Sequence, residues 1–475
     1  MNFYSDIDIY KDNIAIITDR RERITYKELT EDADFIMRDL KTRSVLFLVC
    51  KNCIESICAY IGALRKGIVP VMINSEMDSE LFFNLYNIYR PMYIYAPKDW
   101  SSIEKCKADQ LKAYRDYIIF KTEFEQDYQL NDKLALLLTT SGSTGSPKLV
   151  RQSYVNIQSN ADAIAEYLEL DENEKPITTL PLNYTYGLSI VNSHLLVGAT
   201  ILLTDYTLLN REFWNFFKEE GATSFGGVPY TYEILKKLRF FNMALPSLKT
   251  MTQAGGKLSP QLHKEFAEYA KNNNMHFVVM YGQTEATARM AYLPWNKSIE
   301  KYGSMGIAIP GGKLWLKDED GNVITEKDVV GELIYEGENV TLGYAEAAED
   351  LVKDDERGGV LETGDMAKRD EDGFFYIVGR KKRFLKIYGN RVNLDEVERM
   401  IKSEFSDLDC ACAGVDDKLY AFVTVQEESM IQAVKNFLTQ KTGLNPTAFS
   451  VKTIEELPKN EAGKTLYKKL EKLYD

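Results

Sequence analysis

Short apolar runs alternate along this chain with amphipathic stretches. Residues 44–50, "SVLFLVC", read as a buried strand, 53–67, "CIESICAYIGALRKG", as an amphipathic helix closed by Gly67, and 69–74, "VPVMIN", as the next strand. Strand, helix and strand in that order predict a parallel sheet flanked by helices, an α/β fold. The pattern returns at "PITTLPL" (176–182), in a helix near "SIVNSHLLVG" (189–198), at "ATILLTD" (199–205) and around "HFVVMYG" (276–282). From about Tyr302 onward the texture changes to short strands broken by "GG", "DEDG" and "DEDGFF" turns, which suits a small β-barrel. After "GRKKR" (379–383) come a helix in "NLDEVERMIKSEF", a strand "YAFVTVQ", a helix "SMIQAVKNFLTQKT" and a basic tail. The long charged runs read as solvated surface.

Length and charge narrow the classes of partner. A chain of 475 residues is long enough for roughly three compact units and a large core. Its 58 Lys and Arg stand against 71 Asp and Glu, a net charge of −13 that would repel a nucleic-acid backbone and gives no reason to expect a membrane surface. No apolar run has the length of a membrane span, and the start "MNFYSDIDIYKDN" lacks the basic end and apolar middle of a signal peptide. The chain reads as cytoplasmic, with small molecules or another protein as ligands.

The six cysteines do not change this. Cys50, Cys53 and Cys58 sit among strand and helix residues, Cys410 and Cys412 alternate as strand residues do, and no histidine stands at zinc-ligand spacing, so reduced, buried thiols are expected. His194, His263 and His276 are scattered, and His194, in an apolar stretch, reads as a satisfied core histidine.

Candidate chemistry begins at "TTSGSTGSPKLV" (139–150), directly after the apolar run "LALLL". Gly142 and Gly145 free the backbone to bring amides against phosphate oxygens, Thr140, Ser141, Ser143 and Thr144 add hydroxyl donors, and Lys148 supplies a countercharge. It is not a Walker loop, because Pro147 stands where that motif needs glycine and no Ser or Thr follows the lysine. Taken alone it could also be a Ser/Gly-rich linker.

Four further segments stand with it. "YGQTE" (281–285), "TGD" (363–365), "GRKKRFLKIYGNRV" from Gly379 and "PKNEAGK" ending at Lys464 follow that loop in order and spacing. Together they resemble the adenylate-forming (AMP-binding) superfamily of acyl-CoA synthetases, adenylation domains and luciferases, over nearly the whole chain. The resemblance implies a large domain over 1–381, holding ATP and acid and including the small barrel, and a small mobile α+β lid domain over 382–475. It also implies activation of a carboxylic acid by ATP as acyl-AMP with release of pyrophosphate, then transfer to a thiol.

The residue roles it implies are specific. The Ser/Thr/Gly loop and Lys148 would hold the β- and γ-phosphates, Glu285 the Mg²⁺ and Thr284 the α-phosphate. Tyr281 would stack on adenine, and Gly255 and Gly256 would border the nucleotide. Asp365 would accept from both ribose hydroxyls with Arg380 beside it, as a carboxylate suits a diol. Lys464 would bridge the acid and the α-phosphate as negative charge gathers. Lys382 would be the hinge about which the lid turns, and "YGNRVN", with Gly389, would lie near the entering thiol.

For the acid the resemblance points to "PLNYTYGLS", "GGVP" and "QAGGK", hence Tyr184, Thr185, Tyr186, Gly227, Gln253 and Gly255. Members that activate amino acids usually carry an Asp in the first segment, and no acidic residue stands from Pro181 to Thr204. An unpaired buried ammonium would be costly, so an acid without an α-amine is expected. The acceptor is either coenzyme A or the phosphopantetheinyl arm of a separate carrier protein, which the basic tail "KTLYKKLEK" could meet. An acid–thiol ligase leads. A luciferase-like adenylating oxidase, an amino-acid-activating enzyme and a nucleotide binder without catalysis are the alternatives, and the presence of Lys464 and Glu285 ranks the last lowest.

Overall fold

The computed structural model describes residues 1–139, 148–388, 390–406, 408–425, 427–459 and 465–474. The chain divides into two compact units, one built mainly from residues 1–314 with 335–361, the other mainly from 315–334 with 362–475.

The expected α/β pattern organises the first unit. Strand Val45–Cys50 runs parallel to Val69–Asn74, and the helix Ile54–Lys66 crosses between them. Gly67 ends that helix at φ 72°, returning its amide to Ala63 and Leu64, a left-handed cap that glycine adopts without a Cβ penalty. The run "VLFLVC" is apolar throughout because both faces are covered: Leu46, Leu48 and Cys50 pack into one core, Val45, Phe47 and Val49 into another. Among the described residues this sheet has eight strands, from Gly343–Ala345 at one edge to Ala108–Tyr114 at the other.

A second sheet, of nine strands among the described residues, holds Thr250–Gln253 between Ser224–Gly227 and His276–Tyr281, all parallel. The apolar stretch 176–182 contributes only Pro176–Ile177 to it. Past that point the Thr178 hydroxyl donates to the Thr204 carbonyl and accepts from the Thr204 amide, and the chain turns at Pro181 into the helix Thr185–Leu196. This helix starts earlier than the apolar spacing around 189–198 indicates.

In the second unit the region of short strands forms a sheet of five strands among the described residues, with Val360–Arg369 antiparallel to Phe375–Arg380 at one edge. Beyond it, strand Cys410–Val415 pairs antiparallel with Lys418–Val423, which runs parallel to Phe449–Thr453. Helices Leu394–Glu404 and Glu428–Thr442 pack there; Val397, Ile401, Val434 and Leu438 join Cys410 and Cys412 in a separate core. Asn393 caps the first helix by accepting from the amides of Asp395 and Glu396.

Candidate active site

In the first unit, strands Leu134–Thr139 and Leu149–Ser153 are antiparallel with Thr139 opposite Leu149, so the Ser/Thr/Gly segment joins two facing strand ends. Thr140, Ser141, Gly142, Ser143, Thr144, Gly145 and Pro147 lie outside the described residues. Lys148 follows them. Its Nζ stands 3.6 Å from the centroid of the Tyr344 ring and 3.4 Å from a Glu346 carboxylate oxygen. Behind it the strand is fixed by Arg151, a fully buried guanidinium that bonds the carbonyls of Leu342, Tyr344, Lys353 and Asp354 and the carboxylate of Glu356.

The segment "YGQTE" leaves the sheet at the end of strand His276–Tyr281 and enters a 3₁₀ turn, Thr284–Ala286. A Cβ on Gly282 would lie 1.6 Å from the Ala288 carbonyl oxygen, so the backbone passes where no side chain fits. The turn is held by its main chain. The Glu285 carbonyl accepts from Thr341 (backbone amide 3.1 Å, hydroxyl 3.0 Å) and from Arg357 (2.8 Å), and the Thr284 carbonyl from Gln152 (3.4 Å). With the backbone fixed, the Glu285 carboxylate is half-buried and its Oε1 accepts from the Tyr344 hydroxyl at 2.6 Å. Burial, then the neighbouring Glu285 charge, push the Tyr344 phenol up to about 12, so it stays a donor at neutral pH.

The three segments expected to line an acid pocket converge in the same unit. The left-handed Gly255 (φ 82°) leaves room for Tyr184, whose hydroxyl would lie 2.6 Å from a Cβ there, and Gly256 lies against Pro229. Tyr186, buried, exchanges a hydroxyl hydrogen bond with Thr252 at 2.8 Å and stands where a Gly226 Cβ would be. Gly227 lies in the same strand, against Thr231 and Tyr232. Gln253 donates to the carbonyls of Ala254 and Gly256, while its buried Oε1 has no partner among the described residues. Thr185 donates to the Thr287 carbonyl, linking the first pocket segment to the turn after Glu285. Leu180, Tyr184, Tyr186, Val228 and Ala254 share one apolar cluster with Val278 and Met280.

The second unit holds its own candidates together. Asp365, buried, and Arg380 face each other across paired strands, with Arg380 Nε 2.7 Å from Asp365 Oδ1. The cluster "KKR" separates by position: Lys381 pairs with Glu332 at 2.8 Å, Lys382 is exposed on a 3₁₀ turn, and Arg383 is folded inward. Arg383 contacts Asp395 and Glu398, each at 2.5 Å, the Cys412 carbonyl at 2.8 Å and the ring of Tyr467 at 3.7 Å. Lys464 and Gly389 lie outside the described residues; Lys459 and Thr465 form an antiparallel bridge on either side of the first.

All six thiols are unbridged, Cys53 half-buried and the others buried, and among the described residues no group of His, Cys, Asp or Glu could hold a metal by itself. His194 departs from the expectation. Its Nδ1 is 2.8 Å from the Ile190 carbonyl, but its Nε2 has no partner among the described residues, because it sits in an apolar core.

A family model, AMP-binding enzyme, matches residues 4–345. The chain belongs to the AMP-binding enzyme family. That span takes in the loop, "YGQTE" and all three pocket segments; Asp365, Arg380, Lys382 and Lys464 lie beyond it. The chain is 23% identical over 472 residues to a 2-succinylbenzoate–CoA ligase of Bacillus cereus, covering 96% of this chain and 94% of that one. It is 28% identical over 364 residues to the 2-succinylbenzoate–CoA ligase of a Geobacillus species, covering 74% and 71%. Its fold matches o-succinylbenzoate coenzyme A synthetase of Bacillus subtilis in complex with ATP and magnesium, at TM-score 0.80 and 20% identity, covering 99% of each chain. A benzoate CoA ligase of Burkholderia xenovorans matches at TM-score 0.77 and 22% identity, again covering 99% of each. The expected α/β fold and the expected AMP-forming acid–thiol ligase class both hold.

Within this AMP-binding enzyme, three residues that no motif marked stand beside the candidates: Tyr344 and Arg357 around Glu285, and Arg289 against Tyr186 and Met280; Arg383, inside the segment "GRKKR", is marked only by its neighbours there. Arg289, four residues after Glu285 in "YGQTEATARM", is the one sequence could have flagged, as a charge within an otherwise apolar strand approach.

Proposed function

We propose that the protein joins an aromatic carboxylic acid lacking an α-amine to coenzyme A. A carboxylate oxygen attacks the α-phosphorus of ATP and pyrophosphate leaves. The thiol sulfur then attacks the acyl carbon of the adenylate, AMP leaves, and the thiol proton passes to solvent. The observation that carries this reading is the pocket wall: two tyrosines and apolar side chains from three segments, without an acidic residue from Pro181 to Thr204, linked through Thr185 to the turn that presents Thr284 and Glu285. The names of the relatives, acid–CoA ligases for succinylbenzoate and benzoate, support an aromatic acid and coenzyme A.

Glu285 fits a hard divalent cation. Its Oε1 is oriented by Tyr344 and its Oε2 carries no protein hydrogen bond among the described residues. Mg²⁺ held there would neutralise phosphate charge. The chain's own part is to align anions: Lys148 and Thr284 at the phosphates, Asp365 with Arg380 at the ribose, Tyr281, Gly255 and Gly256 at the base, and Lys464 at the reacting carboxylate. Lys382, exposed at the start of the last region, is assigned as the hinge of a lid over 382–475. No helix among the described residues is long and apolar enough to cross a membrane, and the use of ATP and coenzyme A suits the cytoplasm.

Incubating the protein with ATP, Mg²⁺, coenzyme A and a panel of aromatic, aliphatic and amino acids tests the reading. Pyrophosphate and acyl-CoA in equal amounts with an aromatic acid are expected. Oxygen uptake in place of thioester, activity confined to amino acids, or acyl transfer only to a carrier protein would replace it with one of those alternatives.

A further inference from the structure

Arg289 is 2% exposed. Its backbone is tightly held: the amide donates to Asn160 at 3.2 Å, and its carbonyl accepts from Asn160 at 2.9 Å and Asn339 at 2.8 Å. Its side chain has much weaker company. The guanidinium carbon stands 3.9 Å from the centroid of the Tyr186 ring, Nε approaches the Met280 sulfur at 3.3 Å, and the Tyr167 hydroxyl is a further contact. No carboxylate pairs with it among the described residues.

A buried guanidinium with five N–H donors is expensive unless an anion answers it, and a sulfur, a phenol and a ring face answer it only in part. The other arginine buried among the described residues shows the contrast. Arg151 is saturated by four carbonyls and the Glu356 carboxylate. Arg289 stands against the segments assigned to the acid, since Tyr186 and Met280 belong to the cluster that those segments form. Tyr167 stacks on Tyr292 at 4.3 Å and closes the same cluster. Three phenols there, Tyr167, Tyr184 and Tyr186, are raised by burial and drawn back by the Arg289 charge, which places that charge among them.

We propose that Arg289 is the specificity residue of the acid pocket and receives a second carboxylate on the substrate, so that the activated compound is a dicarboxylic acid. The proposal rests on the acid–CoA ligase reading and deepens it. A planar guanidinium takes a carboxylate through two parallel, charge-assisted hydrogen bonds, which a neutral ring substituent cannot match in strength. The same cation repels an ammonium, so the pocket's charge works against amino acids independently of the missing acidic residue.

Matched pairs of acids differing by one carboxylate test this: benzoate against phthalate, butanoate against succinate, and 4-oxo-4-phenylbutanoate against 2-succinylbenzoate. kcat/KM is read from pyrophosphate release by the native protein, R289Q and R289K, with melting temperature and ATP binding measured alongside. The native protein should favour the diacid by about 100-fold in at least one pair. R289Q should bring that ratio close to one with ATP binding retained, and R289K should keep part of it. If R289Q does not fold, the native ratio and R289K decide. Monoacids used as well as diacids by the native protein, or a ratio unchanged in a folded R289Q, would overturn the subsite while leaving the ligase reading intact. Silence with every acid would remove both.

Discussion

The Tyr344 hydroxyl donates to Oε1 of Glu285 at 2.6 Å across 59 positions of sequence. The same ring lies 3.6 Å beneath the Lys148 ammonium and 4.8 Å from the Arg357 guanidinium, which itself holds the Glu285 carbonyl. One aromatic side chain thus touches Lys148 after the Ser/Thr/Gly segment, the carboxylate proposed to hold the metal and the arginine that braces its turn. Tyr344→Phe keeps the ring under Lys148 and frees the carboxylate to rotate. The concentration of Mg²⁺ giving half-maximal pyrophosphate release should rise by about 10-fold, with the melting temperature nearly unchanged. An unaltered metal titration would separate Tyr344 from the metal role proposed for Glu285.

On the role proposed for Lys464, a cation answering charge that develops in the transition state, Lys464→Ala should lower adenylate formation by about 100-fold or more. Transfer from chemically prepared acyl-AMP to coenzyme A should continue within a few-fold of the native rate. Single-turnover assays of the two half-reactions make the comparison, and equal losses in both would remove the lysine from its assigned role.

Arg383 lies between Asp395, Glu398 and Tyr467. Burial already raises the Glu398 carboxyl, and the Arg383 charge is the largest effect pulling it back. Arg383→Ala leaves that carboxylate uncompensated, at a cost of about 3–5 kcal/mol in urea denaturation at pH 7. With its folded pKa raised further above the unfolded value, Glu398 takes up a proton on folding, and stability is lost as pH rises through the folded pKa. The deficit of the variant should therefore shrink between pH 7 and 5, and a deficit independent of pH would mean that lost packing, not charge, accounts for it.

Burial pushes His194 and His263 down to about 4 from 6.5. The unfolded chain takes up protons at these sites first, so the neutral forms contribute stability above pH 6.5 that is lost as pH falls towards 4, by about 3 kcal/mol for each histidine at most. For His263 the structural reason is plain: Nδ1 accepts from the Gly303 amide at 3.1 Å, and a proton there would leave two donors facing. Melting temperature followed from pH 7 to 4 should fall more gently in the His263→Gln variant than in the native chain.

Much of this architecture is legible in the amino-acid order. Val45–Cys50, Ile54–Lys66 and Val69–Asn74 follow from apolar runs, period and a glycine cap, since both strand faces and one helix face meet the core locally. Pro176–Ile177 shows the limit. An apolar stretch of seven residues yields a strand of two: the Thr178 amide still donates to Leu202, but from there the hydroxyls of Thr178 and Thr179 take up backbone groups of Thr204 and Gly226. The site divides in the same way. Glu285 and Thr284 are carried by a contiguous motif, whereas Tyr344, Arg357 and Arg383 act through contacts 59, 72 and 15 positions away, which neither period nor spacing encodes. Lone charged or aromatic residues acquire meaning only when the fold puts them beside something.

Gly282, against the Ala288 carbonyl, carries this to the level of the gene. Every first- or second-base change in a glycine codon brings in a side chain or a stop, and the smallest of those side chains would already collide with the main chain. In a library randomised at this codon and selected for activity, position 282 should return glycine alone. Gly311 and Gly373, with open space around them, should return asparagine and aspartate as well. The turn that presents Glu285 thus has no mutational neighbours at its first step, and any change in this enzyme's preference for acids has to arise elsewhere in the pocket.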